Sequence, residues 1–171
     1  MGSIIWNETI KAVRRLNPNT TLETLIPDFQ GNKTNINRIV EAKPEVVSHN
    51  LETVRRLTRE VRVQARYDQS LEVLSYLKKS GVNRTKSGIM LGLGETEDEV
   101  FETLHDLRNA EVEVVTIGQY LQPSKKHLPV KSFITPETFK RYEAVANDLG
   151  FRHVESGPLV RSSYKAHKHV N

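Results

Sequence analysis

Thr85-Lys-Ser-Gly-Ile-Met-Leu-Gly-Leu-Gly-Glu-Thr96 decides how this chain folds. Residues 87–93 are apolar or small throughout, as a strand covered on both faces requires. Gly92 and Gly94 carry no side chain, so the backbone can come close to a ligand there. Thr96 opens a capping box with Glu99, and Val100, Leu104 and Leu107 fall on one helical face. The stretch is predicted to run strand, glycine turn, helix. Glu95 then stands at the carboxyl end of the strand, where parallel α/β folds place their ligands. A tight βα loop that binds nothing carries the same signature.

The same pattern repeats on both sides. Trp6, Ile10 and Val13 share a helical face over residues 4–16, which Asn17-Pro18 ends. A short strand is predicted over 22–26, closed by Pro27-Asp28. Gly31-Asn32 is a turn, and Ile36, Ile39 and Val40 mark a helix. A second strand follows over 45–49, and Leu51, Val54 and Leu57 mark a short helix. Residues 61–67 are ambiguous, because Val61 and Val63 alternate while arginines interrupt. Leu71, Leu74 and Leu77 form a helix that stops at Ser80-Gly81. After the 85–93 strand come a helix over 97–109 and a strand over 114–121. Thr135 caps a last helix with Pro136 at its first position, and Gly150 closes it. Residues 151–171 form a tail with room for one strand. Alternating strands and helices predict a parallel sheet with helices outside, as in a partial TIM-type barrel. About four βα units are visible, too few to close a barrel of eight. The division expected is barrel over 1–150 and tail over 151–171.

Length, at 171 residues, suits one domain with a core of its own, and 37% hydrophobic with 27% charged residues is a globular composition. A net charge of +4 serves ordinary solubility, or attraction to an acidic partner. No dense lysine and arginine run argues for nucleic acid, and aromatics are only 6%. No stretch is apolar for long enough to span a membrane, and no signal peptide opens the chain. The absence of cysteine excludes disulfides. His167 and His169 read as a solvated basic tail, and His127 as either a substrate contact or a surface loop. Polar residues gather after the strand ends: Asp28, then His49, Asn50 and Glu52, then Glu95, then Gln119 and Gln122. In a barrel that is the active face.

Three further blocks give this face an identity. They are His49-Asn-Leu-Glu-Thr53, Thr116-Ile-Gly-Gln-Tyr-Leu-Gln-Pro-Ser-Lys-Lys-His-Leu-Pro129 and Ser156-Gly-Pro-Leu-Val-Arg-Ser-Ser-Tyr164. With residues 88–95 they resemble the lipoyl synthases, a family of radical S-adenosylmethionine (SAM) enzymes, over residues 2–166. The Asn-Leu-Glu and Gly-Leu-Gly-Glu pieces taken alone also fit the related biotin synthases. The resemblance implies the last four strands of a six-stranded partial barrel, with strand 22–26 left as an unprotected edge. It implies that residues 88–95 pack on the adenine of SAM, with Gly88, Met90, Gly92 and Glu95 in the cofactor set together with Gln122. Glu52 would accept from the ribose hydroxyls, since a carboxylate is a pure acceptor, with Asn50 beside it. Arg66 is the candidate for the methionyl carboxylate, although it stands among Arg55, Arg56, Arg59 and Arg62, any of which is a solvated arginine on pattern alone.

Family members hold two 4Fe–4S clusters by two cysteine triplets, because such clusters need thiolates. This chain has none, so it is expected to be the C-terminal part of an enzyme whose cysteines precede Met1, and to be inactive alone. Ser163, with Ser162 as the fallback, matches the serine that ligates the auxiliary cluster, the sulfur donor. The implied reaction is radical insertion of two sulfur atoms at carbons 6 and 8 of a protein-bound octanoyl chain. The implied partners are octanoylated lipoyl-carrier proteins, namely the lipoyl domains of 2-oxoacid dehydrogenases and the glycine cleavage H protein, and the missing N-terminal part. The implied location is cytoplasmic or organellar. Two alternatives stay open: a module that binds an acyl-carrying protein or a nucleotide without cluster chemistry, and a relative of biotin synthase.

Overall fold

Each of the first four strands in this chain is followed by helix, which returns the chain to the same end of the sheet. The computed structural model describes residues 2–170. Helix α1 (Gly2–Leu16) leads to β1 (Glu23–Leu25), α2 (Lys33–Glu41) and β2 (Val46–Ser48). Helices α3 (Thr58–Val61) and α4 (Tyr67–Lys79) precede β3 (Arg84–Leu91). Then come α5 (Glu97–Asn109), β4 (Val114–Gln119), α6 (Pro136–Asp148) and β5 (His153–Gly157). The five strands form one parallel sheet in the order β1-β2-β3-β4-β5. Every strand neighbours the next in sequence, which is the order of a barrel; a doubly wound sheet reverses its order near the middle.

The pleat divides the sheet into two faces. Val47 packs on the first helices, and Ile89, Leu91, Val115, Ile117 and Val154 belong to the core under the later ones. Each fully buried aliphatic side chain of this kind contributes about 1.5–3 kcal/mol. The alternate residues, among them Ser48, Lys86, Gly88, Thr116 and Gly118, face the other, concave side. The site is built on that side.

The one strand for which the tail has room joins the sheet. His153–Gly157 pairs with β4 over its whole length, so the sheet has five strands where about four were expected. Its apolar signal is weak because His153 and Glu155 face the polar concave side. Only Val154 and Ser156 turn outward, and Ser156 spends its hydroxyl on the Phe139 carbonyl at 2.8 Å. The ambiguous stretch 61–67 is also resolved: α3 ends at Val61, 62–66 are irregular, and Tyr67 starts α4.

Helix α5 begins as its capping box predicts. Glu99 N donates to Thr96 Oγ1 at 3.3 Å, and Thr96 N donates to the Glu99 carboxylate at 2.8 Å. The Arg56 guanidinium also donates to Glu99 and holds its carboxyl at about 2, below the usual 4.5. A carboxyl lowered in the folded state stabilises the fold above its unfolded pKa, and that stability is lost as pH falls from 4.5 towards 2. Glu99→Gln is expected to flatten this acid limb. Melting temperatures of wild type and variant should differ at pH 7 and converge near pH 2. Thr96→Ala should cost about 1 kcal/mol by loss of the cap, read as a shift in urea midpoint.

Candidate functional site

Beyond the end of β2 the chain stays beside β3. Glu52 N donates to the Gly88 carbonyl at 2.9 Å, and Met90 N donates to the Glu52 carbonyl at 2.8 Å. Glu52 adopts φ 67° to do so. A non-glycine residue in that region costs about 1 kcal/mol, and such strain gathers at functional sites. Gly88 has no room for a side chain: a Cβ there would lie 2.6 Å from Thr116 Oγ1 and 3.2 Å from Asn50 Oδ1. The Asn50 amide donates to Glu52 Oε1 at 3.2 Å, while Asn50 Oδ1 is buried without a partner. Burial pushes the Glu52 carboxyl above its ordinary range, against the pull of Asn50 and of the Arg62 guanidinium. These groups surround a cavity of about 200 Å³, bounded also by Leu25, Met90 and the C-terminal segment.

The C-terminal segment forms the far wall because Gly118 lets it approach. A Cβ on Gly118 would fall 2.3 Å from the Val160 carbonyl. Val160 seated there brings Arg161 and Ser162 to the cavity. Ser162 is half-buried on that wall. Ser163 is exposed at the following turn, where its carbonyl accepts from Ala166 N at 3.2 Å.

The structure thus brings Asn50, Glu52, Gly88, Met90 and Ser162 together at one cavity. Other candidates lie elsewhere. Arg66 is exposed at the N-cap of α4. The guanidinium beside Glu52 is that of Arg62, half-buried and donating to Ser70 Oγ at 3.1 Å and the Leu51 carbonyl at 3.4 Å. Arg62, Glu52, Asn50 and Trp6 line a further hollow of about 250 Å³ next to the first. Glu95 turns back on its own loop and accepts from Gly92 N at 2.5 Å and Leu93 N at 2.9 Å. Gly92 accommodates a neighbouring loop: a Cβ there would lie 2.3 Å from the Ser132 carbonyl. Gln122 is exposed and donates to the His127 carbonyl at 2.8 Å. His49 lies outside the cavity, clamped between the Ile26 carbonyl and Ser70 Oγ at 2.9 Å each. His169 is buried, where the sequence suggested a solvated tail. The sequence also leaves Arg62 and Gly118 without a role. A glycine inside the apolar run 114–121 is the one local signal that a backbone crosses there.

The donor set fits part of a nucleoside cofactor. A carboxylate and a free amide oxygen offer two acceptors to a diol, and the glycine floor beside Met90 admits a flat group. The set does not fit an iron–sulfur cluster by itself. The chain has no thiolate, and among the described residues no group of three or more His, Cys, Asp or Glu could hold a metal ion. On the far wall Ser162 offers a hydroxyl, a hard ligand, and Ser163 offers another at the exposed turn that follows.

Comparison with known proteins bears on the family and the fold. The family model of the Radical SAM superfamily matches residues 4–107. A lipoyl synthase of Flavobacterium johnsoniae is 78% identical over 169 residues, 99% of this chain and 59% of that protein. A mitochondrial lipoyl synthase of Nematostella vectensis is 72% identical over 171 residues, 100% of this chain and again 59% of that protein. The chain therefore spans about 59% of the length of these relatives. Among solved structures, a domain of pyruvate-formate lyase-activating enzyme from Bacteroides vulgatus superposes with a TM-score of 0.68 at 10% identity, covering 91% of this chain and 92% of that one. Methylornithine synthase superposes with a TM-score of 0.63 at 13% identity, covering 88% of this chain and 51% of that one. At such identities these two show the fold alone. Among the described residues no helix is long and apolar enough to cross a membrane. The chain belongs to the radical SAM superfamily, whose family model matches more than half of it, and it is similar over its length to lipoyl synthases of which it spans about 59%.

Proposed function

We propose that this chain forms one wall of the SAM site of a lipoyl synthase and carries a serine ligand of its auxiliary cluster. The observation that supports this most is the unpartnered, buried Asn50 Oδ1 beside Glu52 above the Gly88 floor. Leaving such an atom unpaired costs about 1–3 kcal/mol, which a ligand hydroxyl would relieve. In this reading Glu52 and Asn50 hold the ribose, Gly88 and Met90 support the adenine, and Arg62 is the nearest cation for the methionyl carboxylate. Gly92 and Glu95 shape the loop that ends the strand, so they act on the site through its framework. Ser162 presents its hydroxyl from the opposite wall, and Ser163 from the exposed turn that follows. When bound, SAM and the clusters supply radical generation and sulfur; the protein supplies position and exclusion of water. The complete protein would place sulfur at carbons 6 and 8 of an octanoyl chain carried by lipoyl domains or by H protein, and the cysteine ligands would come from outside this chain.

The reading is tested by SAM binding in the complete protein. Glu52→Gln keeps the shape and removes the charge, and should weaken binding by about tenfold or more, since a hydrogen bond to a charged group is worth about 1.5–3 kcal/mol. Because burial raises the Glu52 carboxyl, wild-type affinity should fall as pH drops through that raised pKa, and the Gln variant should lose this dependence. Equal affinity of the two proteins by titration calorimetry would remove Glu52 from the site.

A further inference from the structure

On the concave face, outside the cavity, lies a buried cluster that the cofactor site does not use. Lys86 is 0% exposed. Its ammonium donates to both carboxylate oxygens of Glu23 at 2.7 and 2.9 Å, and lies 3.2 Å from Nδ1 of His169. A buried cation requires such partners, because it has given up its hydration. His169 is likewise 0% exposed. Burial and the Lys86 ammonium hold its pKa at about 4, so it is neutral at pH 7 and Nδ1 accepts from Lys86. Its ring lies against that of His153 on β5, with centroids 5.8 Å apart.

The segment that leads to His169 has little of its own to hold it. Within it the backbone hydrogen bonds are Tyr164 N to Arg161 O, Ala166 N to Ser163 O, Lys168 N to Lys165 O and His169 N to Ala166 O. All are turns between residues three apart, the kind of structure that opens first. Val160 is seated on Gly118 at one end, and His169 is bound to Lys86 at the other. Between them the Lys165–Glu155 ion pair at 3.0 Å is partly exposed and worth little. Ser162 and Ser163 hang between the two anchors.

We propose that Lys86 is a positioning residue: by gripping Glu23 of the first strand and His169 of the last turn, it fastens the C-terminal segment across the barrel interior and sets where Ser162 and Ser163 sit. The contacts join residues 63 and 83 positions apart in sequence. The grip stands on geometry, and its effect on chemistry rests on the proposed role of the two serines.

Amide hydrogen exchange, followed peptide by peptide on the whole chain, tests the grip. His169→Phe fills the space and removes the acceptor; His169→Asn keeps an oxygen near the place of Nδ1. The Phe variant should speed exchange of amides 161–168 by about ten- to a hundredfold, with β3 and β4 unchanged, and the Asn variant should stay near wild type. Lys86→Met should loosen the same segment and β1 with it. Unchanged protection in His169→Phe overturns the proposal. Equal loosening by Phe and Asn also overturns it, since an acceptor facing Lys86 would then not be what holds the segment. In the complete, cluster-loaded protein, His169→Phe should give about tenfold less sulfur product per SAM cleaved. A loosened segment with a normal ratio overturns the positioning role. Failure of the cofactor site appears separately, as Glu52→Gln binding SAM like wild type while the exchange results stand.

Discussion

Alanine at Ser163, placed in the complete protein, is expected to leave SAM cleavage nearly intact and to cut lipoyl product by about a hundredfold. The separation follows from where the residues lie. The acid, amide and glycine floor that would hold SAM come from β2, β3 and the link between them, and none of them hydrogen-bonds to Ser163. Ser162 stands on the opposite wall and Ser163 at the turn that follows it, on a segment seated by Val160 against Gly118. A hydroxyl lost there changes what can be ligated on that side and nothing on the adenine side. Deoxyadenosine and lipoyl product should be measured from the same reaction. Ser162 faces the cavity while Ser163 is exposed, so Ser162→Ala is the necessary companion. Normal product from Ser163→Ala with loss from Ser162→Ala moves the ligand by one residue. Normal product from both variants ends the assignment.

The largest effect on stability is expected at Gly92. Valine there must adopt φ +100°, and its Cβ would meet the Ser132 carbonyl at 2.3 Å and Gln119 Nε2 at 2.4 Å. The carbonyl of Gly92 also accepts from Lys131 N at 2.8 Å and Ser132 N at 3.3 Å, so the clash falls on backbone that cannot swing aside. Gln119 is committed as well, donating to the Ser132 carbonyl and accepting from Ile134 N. Gly92→Val should therefore cost about 4 kcal/mol or more, the range reserved for severe backbone and packing faults. Gly94 provides the control. It has a similar φ of +102°, but its nearest contact is the flexible Lys131 Cγ at 3.5 Å, so Gly94→Ala should cost only about 1–2 kcal/mol. Urea unfolding monitored by circular dichroism gives both numbers. A Gly92→Val midpoint close to that of wild type would contradict the packing described for the 129–134 loop.

What could be read from the sequence was what depends on neighbours in sequence. Helices α5 and α6 have the expected bounds because Thr96 with Glu99, and Thr135 with Pro136, write their caps locally. The parallel order was legible because each apolar run is followed by an amphipathic one. Direction of side chains was less legible. Glu95 stands where a ligand acid should stand, yet two amides of its own loop take its carboxylate. Arg62 and Arg66 belong to one basic stretch, and only the point at which α3 stops decides which of them turns inward. β5 was only a possible strand without bounds, because a strand facing a polar interior alternates weakly. The interior itself, with Lys86 meeting residues far off in sequence, has no local signal at all; a lysine inside an apolar strand is the nearest hint.

The two main-chain hydrogen bonds that tie Glu52 to β3 have a thermodynamic consequence. A site built on a free loop must surrender about 1–2 kcal/mol of backbone entropy for each residue that orders around its ligand. Here that loss has already been met during folding, since the peptide of Glu52 is bonded on one side to Gly88 and on the other to Met90. The carboxylate waits at a fixed height above the glycine floor whether or not anything is bound. If this wall holds a nucleoside as proposed, capture would be the filling of a preorganised notch, with its affinity set by contacts and desolvation and with little ordering left to oppose it.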